Sequence, residues 1–202
     1  MSRPVSLASL IDWSHKLLAE VLQPGDLAVD LTAGNGADTL FLAEMVGRSG
    51  LVIAFDIQRQ ALAKTSVRLE AAGIKSSLHQ GRRPPEAHTG VVLIADGHEA
   101  VTDYLSRAPK AFIANLGYLP GGDKSIITQP ATTLKAIESA LASLAPHGRL
   151  VAVSYVGHPG GREEGEALES LLHKLTPDGW EVTRIQNLNR PLAPSLFVVE
   201  KY

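Results

Sequence analysis

The feature that most constrains this chain is the regular alternation of short apolar runs with longer helical patterns. The predicted strands are residues 27–31, 51–55, 91–95, 111–114, 150–155, 180–186 and 195–200. The predicted helices are residues 9–22, 38–46, 59–72, 99–106, 130–144 and 163–174. Such alternation is typical of a parallel sheet covered by helices. The last two strands have no helix between them, so we expect them to pair antiparallel. The sequence therefore predicts an α/β fold, a Rossmann-like, doubly wound sheet of seven mostly parallel strands with an antiparallel C-terminal strand.

Length and composition restrict the class of protein further. The 202 residues fit a single domain, 1–202, with its own core. No apolar stretch is long enough to span a membrane, and the N-terminus lacks the pattern of an export signal, so we expect no membrane contact and a cytoplasmic location. The chain has no cysteine, which excludes thiolate metal sites and cysteine nucleophiles; no metal site is predicted. The net charge is -2, so any nucleic acid must be bound by a local basic patch.

A first glycine-containing loop, DLTAGNGADT (residues 30–39), follows the first predicted strand and opens a helix. Gly34 and Gly36 allow a ligand to approach the backbone where side chains would block it. Asp56 ends the second predicted strand, at about the 20-residue spacing expected for a carboxylate that accepts ribose hydroxyls. Together these features predict a cofactor that contains adenosine.

The charges around this loop favour a cationic cofactor over a dinucleotide. A pyrophosphate would lie at the helix N-terminus, where Asp30 and Asp38 would repel it, and Thr39 stands where a third glycine is expected. S-adenosylmethionine carries an ammonium and a sulfonium group that these carboxylates would attract. Asp30 and Asp38 can alternatively act only as caps of the turn, but the order of strand, loop, helix and distant Asp56 favours the cofactor. The predicted cofactor-binding residues are Asp30, Thr32, Gly34, Asn35, Gly36, Asp38, Thr39, Asp56, Ile57, Gln58, Gly97, His98 and Asn115.

A second loop, NLGYLPGGDKS (residues 115–125), follows the fourth predicted strand, at the sheet edge where such folds hold ligands. It is not a phosphate-binding loop, because Asp123 breaks the required spacing and adds a negative charge. N-L-G-Y resembles the Asn-Pro-Pro-Tyr signature of enzymes that methylate amino groups of nucleic-acid bases. The Asn115 oxygen and the Leu116 carbonyl can accept an amine's hydrogens and so direct its lone pair to a methyl donor. Tyr118 can stack on an extruded base. Alternatively, Asn115 only ties down the loop and Tyr118 packs on the sheet.

The candidate site residues follow from this interpretation. The predicted catalytic residues are Asn115, Tyr118 and Asp123. The predicted substrate-binding residues are Leu116, Gly117, Tyr118, Lys124 and His158. Asp123 and His158 are candidates to assist the loss of a proton from the amine. Phosphate contacts can come from Lys124, Arg82, Arg83, Arg162 and Arg190. His15 lies on a helix whose apolar face is mainly core, but it can still face the pocket.

Five segments together resemble a known family: D-L-T-A-G-N-G-A-D-T-L-F-L-A, A-F-D-I-Q, N-L-G-Y-L-P-G-G-D-K-S, T-x-x-A-I-E and G-H-P-x-G. They are similar to small bacterial methyltransferases called rRNA methylases, and among these to the tRNA 5-(aminomethyl)-2-thiouridine methyltransferases of the MnmM or YtqB type. The resemblance covers residues 15–202. It implies a class I methyltransferase fold and methylation of the aminomethyl nitrogen on the wobble uridine of tRNA, with the anticodon stem-loop as partner. A homodimer is also considered.

Three departures from the family pattern bear on the site. Ala37 stands where the family has histidine, and Gly97 stands where it has serine before His98. Residues 75–90 form a longer segment than in the relatives. Two alternatives stay open: a methyltransferase of rRNA or of a small molecule on the same scaffold, and a cofactor-binding module without catalytic activity.

Overall fold

The computed structural model of the protein describes residues 6–7, 9–119, 121, 126–157 and 159–202. Its strands are β1 (Leu27–Asp30), β2 (Leu51–Phe55), β3 (Ser76–His79), β4 (Gly90–Ile94), β5 (Ala111–Leu116), β6 (Arg149–Ser154), β7 (Trp180–Gln186) and β8 (Ser195–Lys201). Its α-helices are α1 (Leu10–Ala19), α2 (Ala37–Val46), α3 (Arg59–Ala71), α4 (Pro130–Ser143) and α5 (Gly161–Leu172). A 3-10 helix, His98–Tyr104, follows β4. None of the helices in these ranges combines the length and the apolar character that crossing a membrane requires.

The eight strands form one sheet in the order β3-β4-β2-β1-β5-β6-β8-β7. The first six strands pair parallel to one another, whereas β8 pairs antiparallel with both β6 and β7. This confirms the predicted mostly parallel α/β sheet and its antiparallel C-terminal pair. The predicted count of seven strands was wrong by one, because β3 was not recognised. It is an edge strand whose four residues are all exposed or half-buried, so it lacks the continuous apolar run that identifies the inner strands.

Each face of the sheet carries its own hydrophobic core. Phe112, Ala114 and Leu116 of β5 pack on the face that α4, α5 and the 3-10 helix cover. Ala111 and Ile113 pack on the opposite face, under α1, α2 and α3. Because successive side chains of a strand point to opposite faces, this alternation assigns the Asn115 side chain to the face that α1 and α2 cover.

Parallel pairing brings the loops after β1 and β5 to one edge of the sheet. Asp30 at the end of β1 lies opposite Ile113 of β5, and the backbone N–H of Leu31 donates to the Ile113 carbonyl over 2.9 Å. Just beyond, the backbone N–H of Asn115 donates to the Thr32 hydroxyl over 2.7 Å. The two loops that the sequence singled out therefore lie side by side at the carboxyl edge, where open α/β sheets bind ligands.

Candidate active site

The glycine-containing loop after β1 is closed by Asp56, the residue that follows β2. One Asp56 oxygen accepts the backbone N–H of Gly34 over 3.0 Å and the other accepts that of Gln58 over 2.8 Å. Burial raises the pKa of Asp56, against the effect of these two hydrogen bonds. The sequence predicted that Gly34 and Asp56 belong to one site, and the structure brings them into direct contact. Ile57 follows with a side chain that is 62% exposed, which leaves an apolar surface at the rim.

Glycine stands at positions 34 and 36 of this loop for different structural reasons. Both have positive φ, 54° at Gly34 and 78° at Gly36, a region that other residues rarely adopt. A Cβ on Gly36 would lie 2.8 Å from the Cα of Thr65 on α3, so Gly36 allows two helices to approach closely. A Cβ on Gly34 would make only ordinary contacts, with Leu119 and Thr32 at 3.6 Å. Gly36 is thus required by packing, whereas at Gly34 the positive φ, and not crowding, favours glycine.

Asp30 and Thr39 lie beneath the loop and are fully buried. The Thr39 hydroxyl donates to Asp30 over 2.6 Å, and the other Asp30 oxygen accepts the Thr32 backbone N–H over 3.0 Å. Burial, followed by the negative charge of Asp38, raises the pKa of Asp30 from 3.8 to about 7. These two predicted cofactor-binding residues therefore support the loop from below, and any effect they have on a cofactor passes through it.

Asp38, at the start of α2, connects the first helix to the second loop. Its Oδ1 accepts a hydrogen bond from Nε2 of His15 over 2.6 Å, and its Oδ2 accepts one from the Asn115 amide nitrogen. The His15 ring stacks on Phe41 of α2 with centroids 4.0 Å apart and 4° between the planes. His15 therefore faces the site, as the sequence allowed, and it ties α1 to the rim.

Within the part of the chain that the structure describes, the arrangement around Asn115 leaves one acceptor without a partner. Its amide nitrogen is bonded to Asp38, so the amide oxygen points elsewhere; that oxygen is buried and accepts no hydrogen bond from the described residues. Buried polar atoms are rarely left unsatisfied. Tyr155 follows β6 nearby: burial raises its pKa, and the charge of Asp38 raises it further. The Asn115 oxygen therefore has no donor among the described residues, and it lies beside Asp38, whose charge also acts on Tyr155.

His98 lies on the other side of Asp56, after β4. Its Nδ1 donates to the Leu31 carbonyl over 3.2 Å. Burial lowers the pKa of His98 and outweighs this hydrogen bond and the charges of Glu99, Glu164 and Asp56. His98 is consequently neutral near pH 7, where it can hydrogen-bond a ligand without repelling a cation.

The segment between β3 and β4 is tied to the same rim by an ion pair. The Arg82 guanidinium donates two hydrogen bonds to Asp96, over 2.7 and 3.1 Å. Tyr104 and the Gly97 backbone N–H donate to the same carboxyl. These bonds, led by that of Arg82, lower the pKa of Asp96. Arg82 is a candidate for phosphate contacts, and in the structure its guanidinium pairs with Asp96 while its side chain stays 59% exposed.

The segment after β5 is held at both ends. The backbone N–H of Gly117 donates to the Thr128 hydroxyl over 2.8 Å, and the N–H of Thr128 donates to the Gly117 carbonyl over 2.9 Å. Tyr118 forms a β-bridge with Ile127 and is 41% exposed. The predicted site residues Asp123, Lys124 and His158 lie outside the described residues.

Sequence reasoning missed three residues that the structure brings to this edge. They are Tyr155, Thr128 and Glu164, the last of which accepts hydrogen bonds from the hydroxyls of Thr128 and Thr133. Glu164 sits in the polar run G-R-E-E-G at the start of α5, a pattern that normally indicates a solvated first turn. The parallel pairing of β5 with β6 places the ends of these two strands side by side, and this is the signal that could have directed attention to Tyr155 and Glu164, as it did to His158.

The chain is similar to known proteins in both sequence and structure. The family model described as "Putative rRNA methylase" matches residues 52–201. A tRNA (mnm(5)s(2)U34)-methyltransferase, chloroplastic, of Arabidopsis thaliana is 40% identical over 195 residues, which are 93% of this chain and 68% of that protein.

Two solved structures are similar over nearly their whole length. One, named as a putative rRNA-methylase of Clostridium thermocellum, is 34% identical with a TM-score of 0.87, over 99% of this chain and 100% of that one. The other, a putative methyltransferase of Streptococcus mutans in complex with SAH, is 37% identical with a TM-score of 0.81, over 100% and 99%. On the family model and these relatives, the chain belongs to the rRNA methylase family, as its sequence motifs predicted.

Proposed function

We propose that this protein is an S-adenosylmethionine-dependent N-methyltransferase that acts on the modified wobble uridine of tRNA. It would convert the aminomethyl group of aminomethyl-thiouridine into methylaminomethyl. The observation that carries the proposal is the buried oxygen of Asn115, which has no hydrogen-bond partner among the described residues, at the rim that also holds Gly34 and Asp56. The name of the Arabidopsis relative supports the same substrate.

The residues at the rim fit S-adenosylmethionine in charge and shape. Gly34 has no side chain beyond the backbone, and a Cβ there would meet only Leu119 and Thr32, each at 3.6 Å, so its backbone can lie against the cofactor. Asp56 uses one hydrogen bond on each oxygen and keeps lone pairs that can accept ribose hydroxyls. Ile57 offers an apolar surface to the adenine, and Asp38 supplies negative charge. When bound, the cofactor supplies a methyl group on a positively charged sulfur.

Orientation of the amine is the main task of the protein in this reaction. The nitrogen must be neutral to attack, and its lone pair must lie in line with the bond from methyl to sulfur. The Asn115 oxygen and the Leu116 carbonyl accept the two amine hydrogens, which directs the lone pair forward and gives the rate advantage of a fixed reacting geometry. As the nitrogen–carbon bond forms, the carbon–sulfur bond breaks and its electron pair leaves with sulfur. The nitrogen becomes positive close to Asp38, whose carboxyl group stabilises that charge.

Binding of tRNA would come from the rim around this site. Arg162 and Arg190 follow β6 and β7, whose chain ends lie at the carboxyl edge with β5, and they are candidates for phosphate contacts. The solvent-exposed ring of Tyr118 is suited to stacking on an extruded base. The anticodon stem-loop as partner, the cytoplasmic location and a homodimer stay predictions.

In vitro methylation tests the proposed function directly. The purified protein is incubated with S-adenosylmethionine and tRNA that carries aminomethyl-thiouridine, and the digested nucleosides are analysed by mass spectrometry. We expect methylaminomethyl-thiouridine to appear and rRNA and free nucleosides to remain unmethylated. Methylation of rRNA alone, or no transfer to any acceptor despite cofactor binding, would contradict the proposal.

An Asn115→Ala variant tests the observation behind it. Without the amide oxygen the amine loses one of its two orienting acceptors, so we expect kcat to fall at least about 100-fold. Binding of tRNA should be retained, as measured by gel shift. Gln23→Ala removes an exposed amide at the opposite edge of the sheet and should leave kcat unchanged. Equal turnover by the Asn115→Ala variant and the wild type would remove Asn115 from the mechanism.

A further inference from the structure

We propose that Glu164 is a positioning residue for the methyl acceptor, because it fixes the direction of the Leu116 carbonyl through Thr128. The inference rests on the proposed function, in which that carbonyl accepts a hydrogen of the attacking amine. Glu164 itself lies on α5 and acts on the methyl acceptor without contacting it. Its effect reaches the reacting nitrogen through two hydrogen bonds and one peptide group.

A continuous chain of hydrogen bonds links Glu164 to the peptide that follows Leu116. The Gly117 N–H donates to the Thr128 hydroxyl over 2.8 Å, and that hydroxyl donates to Oε2 of Glu164 over 2.8 Å. Since the hydroxyl has a single proton, donating it to Glu164 leaves the oxygen free to accept from Gly117. Glu164 therefore sets the direction of both bonds.

The geometry of the peptide group carries this constraint to Leu116. The C=O of Leu116 and the N–H of Gly117 belong to one planar trans peptide and point in opposite directions. Fixing the N–H toward Thr128 therefore turns the carbonyl away from Thr128. Gly117 has a φ of 142°, which glycine adopts far more readily than other residues, so the chain can turn here without losing this orientation.

Burial of the Glu164 carboxyl group is costly unless hydrogen bonds offset the loss of water. Its side chain is 1% exposed, and burying a carboxyl without partners is strongly unfavourable. Both oxygens are satisfied, Oε1 by the Thr133 hydroxyl over 2.6 Å and Oε2 by Thr128. A chain of hydrogen bonds that ends on a carboxyl group also polarises the peptide group between Leu116 and Gly117, which makes the Leu116 carbonyl a stronger acceptor.

Close packing of α5 on β6 brings the carboxyl group to this point. A Cβ on Gly165 would lie 2.8 Å from the Ser154 hydroxyl oxygen, so α5 approaches the strand end at the residue next to Glu164. Ser154 in turn lies opposite Leu116 in the ladder of β5 and β6. The first turn of α5 is thus held directly against the strand end that carries the acceptor carbonyl.

Substitutions at the two threonines separate positioning from packing, since of these two residues Thr128 bonds to both Glu164 and Gly117, whereas Thr133 is hydrogen-bonded to Glu164. Thr128→Val keeps the shape and removes the hydroxyl, so we expect kcat for tRNA methylation to fall about 10- to 100-fold while the KM for tRNA changes less than about threefold. Thr128→Ser keeps the hydroxyl and should restore kcat to within about threefold of the wild type. Thr133→Val removes a hydroxyl from the same carboxyl but not from the loop, and should also stay within about threefold.

Glu164→Gln tests the contribution of the carboxyl group. The glutamine oxygen can still accept from Thr128, so we expect a smaller loss of kcat, about 3- to 10-fold, with the loop geometry retained. The inference is overturned if Thr128→Val turns over like the wild type, if Thr133→Val loses as much kcat as Thr128→Val, or if Thr128→Ser fails to rescue. Wild-type protein in the same assay separates failure of this inference from failure of the proposed function, because absence of turnover in the wild type contradicts the proposed function itself.

Discussion

The orientation of the Asn115 amide is set by a single carboxyl group. An amide can present either its oxygen or its nitrogen to a neighbour, and the two choices give opposite chemistry toward an amine. Asp38 can only accept from the amide, so it takes the nitrogen and leaves the oxygen for the acceptor side of the site. The second oxygen of Asp38 is occupied by His15, which prevents the carboxyl from turning away.

Exchanging the two residues tests this pairing. Asn115→Asp places two carboxyl groups in contact, and we expect the free energy of unfolding to fall by about 1–3 kcal/mol. In the double variant Asp38→Asn with Asn115→Asp, the new amide at position 38 can again donate to a carboxyl at position 115. In urea denaturation, the unfolding free energy of the double variant should therefore lie closer to the wild-type value than that of the Asn115→Asp variant does. A double variant as unstable as the sum of the two single changes would show that the residues do not interact.

The residues that make up this pairing could be predicted from the sequence only one at a time. Asp38 and Asn115 were both identified as site residues, because each follows a strand in a loop with special backbone residues. Their contact, across 77 positions of the chain, has no counterpart in periodicity or spacing. The role of Glu164 was not predicted at all, since a glutamate in the first turn of a helix is ordinarily exposed.

At the scale of elements, the inner strands were predicted from their apolar runs, and β7 was predicted with its observed bounds although its residues are half-buried or exposed. β2 is an uninterrupted apolar run, β1 and β5 each contain one polar residue, Asp30 and Asn115, and all three strands are buried almost throughout. β5 runs two residues further than predicted, through Asn115 and Leu116, because its ladder with β6 continues to Ser154. Asparagine has a low strand propensity, so a local pattern ends the strand too early and pairing extends it.

The first helix is attached to the sheet by Arg149 of β6. This guanidinium donates to Glu20 over 2.7 Å, to the Leu17 carbonyl over 2.8 Å and to Glu200 over 2.6 Å, and its side chain is 17% exposed. The contacts join α1 to β6 and β8 on the edge opposite to the site. Since α1 also carries His15, the position of this helix affects the rim.

An Arg149→Met variant should loosen α1 selectively. The methionine keeps apolar bulk but leaves the carbonyl and two carboxyls without their donor, so we expect about 2–3 kcal/mol less stability. Hydrogen exchange should increase in residues 10–19 more than in β2. Arg184→Met, which breaks a largely exposed pair with Glu169, serves as the control and should cost less than about 1 kcal/mol. Uniformly faster exchange throughout the sheet would instead mean that Arg149 supports the whole molecule.

At the scale of the whole molecule, the site is a meeting point of chain segments that are distant in sequence. Its hydrogen bonds span 23, 77 and 36 positions. Fold class and connectivity predicted which loops share an edge, because parallel strands align their carboxyl ends. They did not predict which side chains meet, since that depends on the rotation of each helix about its axis and on the register of each pair. Thr128 lies between β5 and α4 with no pattern that marks it.

The pH dependence of the unfolding free energy is a property of the whole molecule to which two buried groups of the site contribute in opposite directions. Burial raises the pKa of Asp30 from 3.8 to about 7. Between about pH 4 and 7 the folded protein retains a proton at Asp30 that the unfolded chain has released, so this group makes stability fall as pH rises. His98 acts oppositely: its pKa is lowered, so below about pH 6.5 the unfolded chain binds a proton that the folded protein does not, and stability falls as pH decreases.

An Asp30→Asn variant isolates the first of these contributions. Asparagine is neutral at every pH and mimics the protonated carboxyl, while the contribution of His98 stays in both proteins and cancels in the comparison. We expect the variant and the wild type to have similar unfolding free energies at pH 5. At pH 8 the variant should be more stable, by an amount on the order of a few kcal/mol, because only the wild type then buries an ionised carboxylate or must bind a proton to avoid it. Urea denaturation at intervals of pH measures both curves. If the two curves run parallel from pH 5 to 8, Asp30 is already ionised at pH 5 in the folded protein, and the carboxylate that supports the loop from beneath is charged.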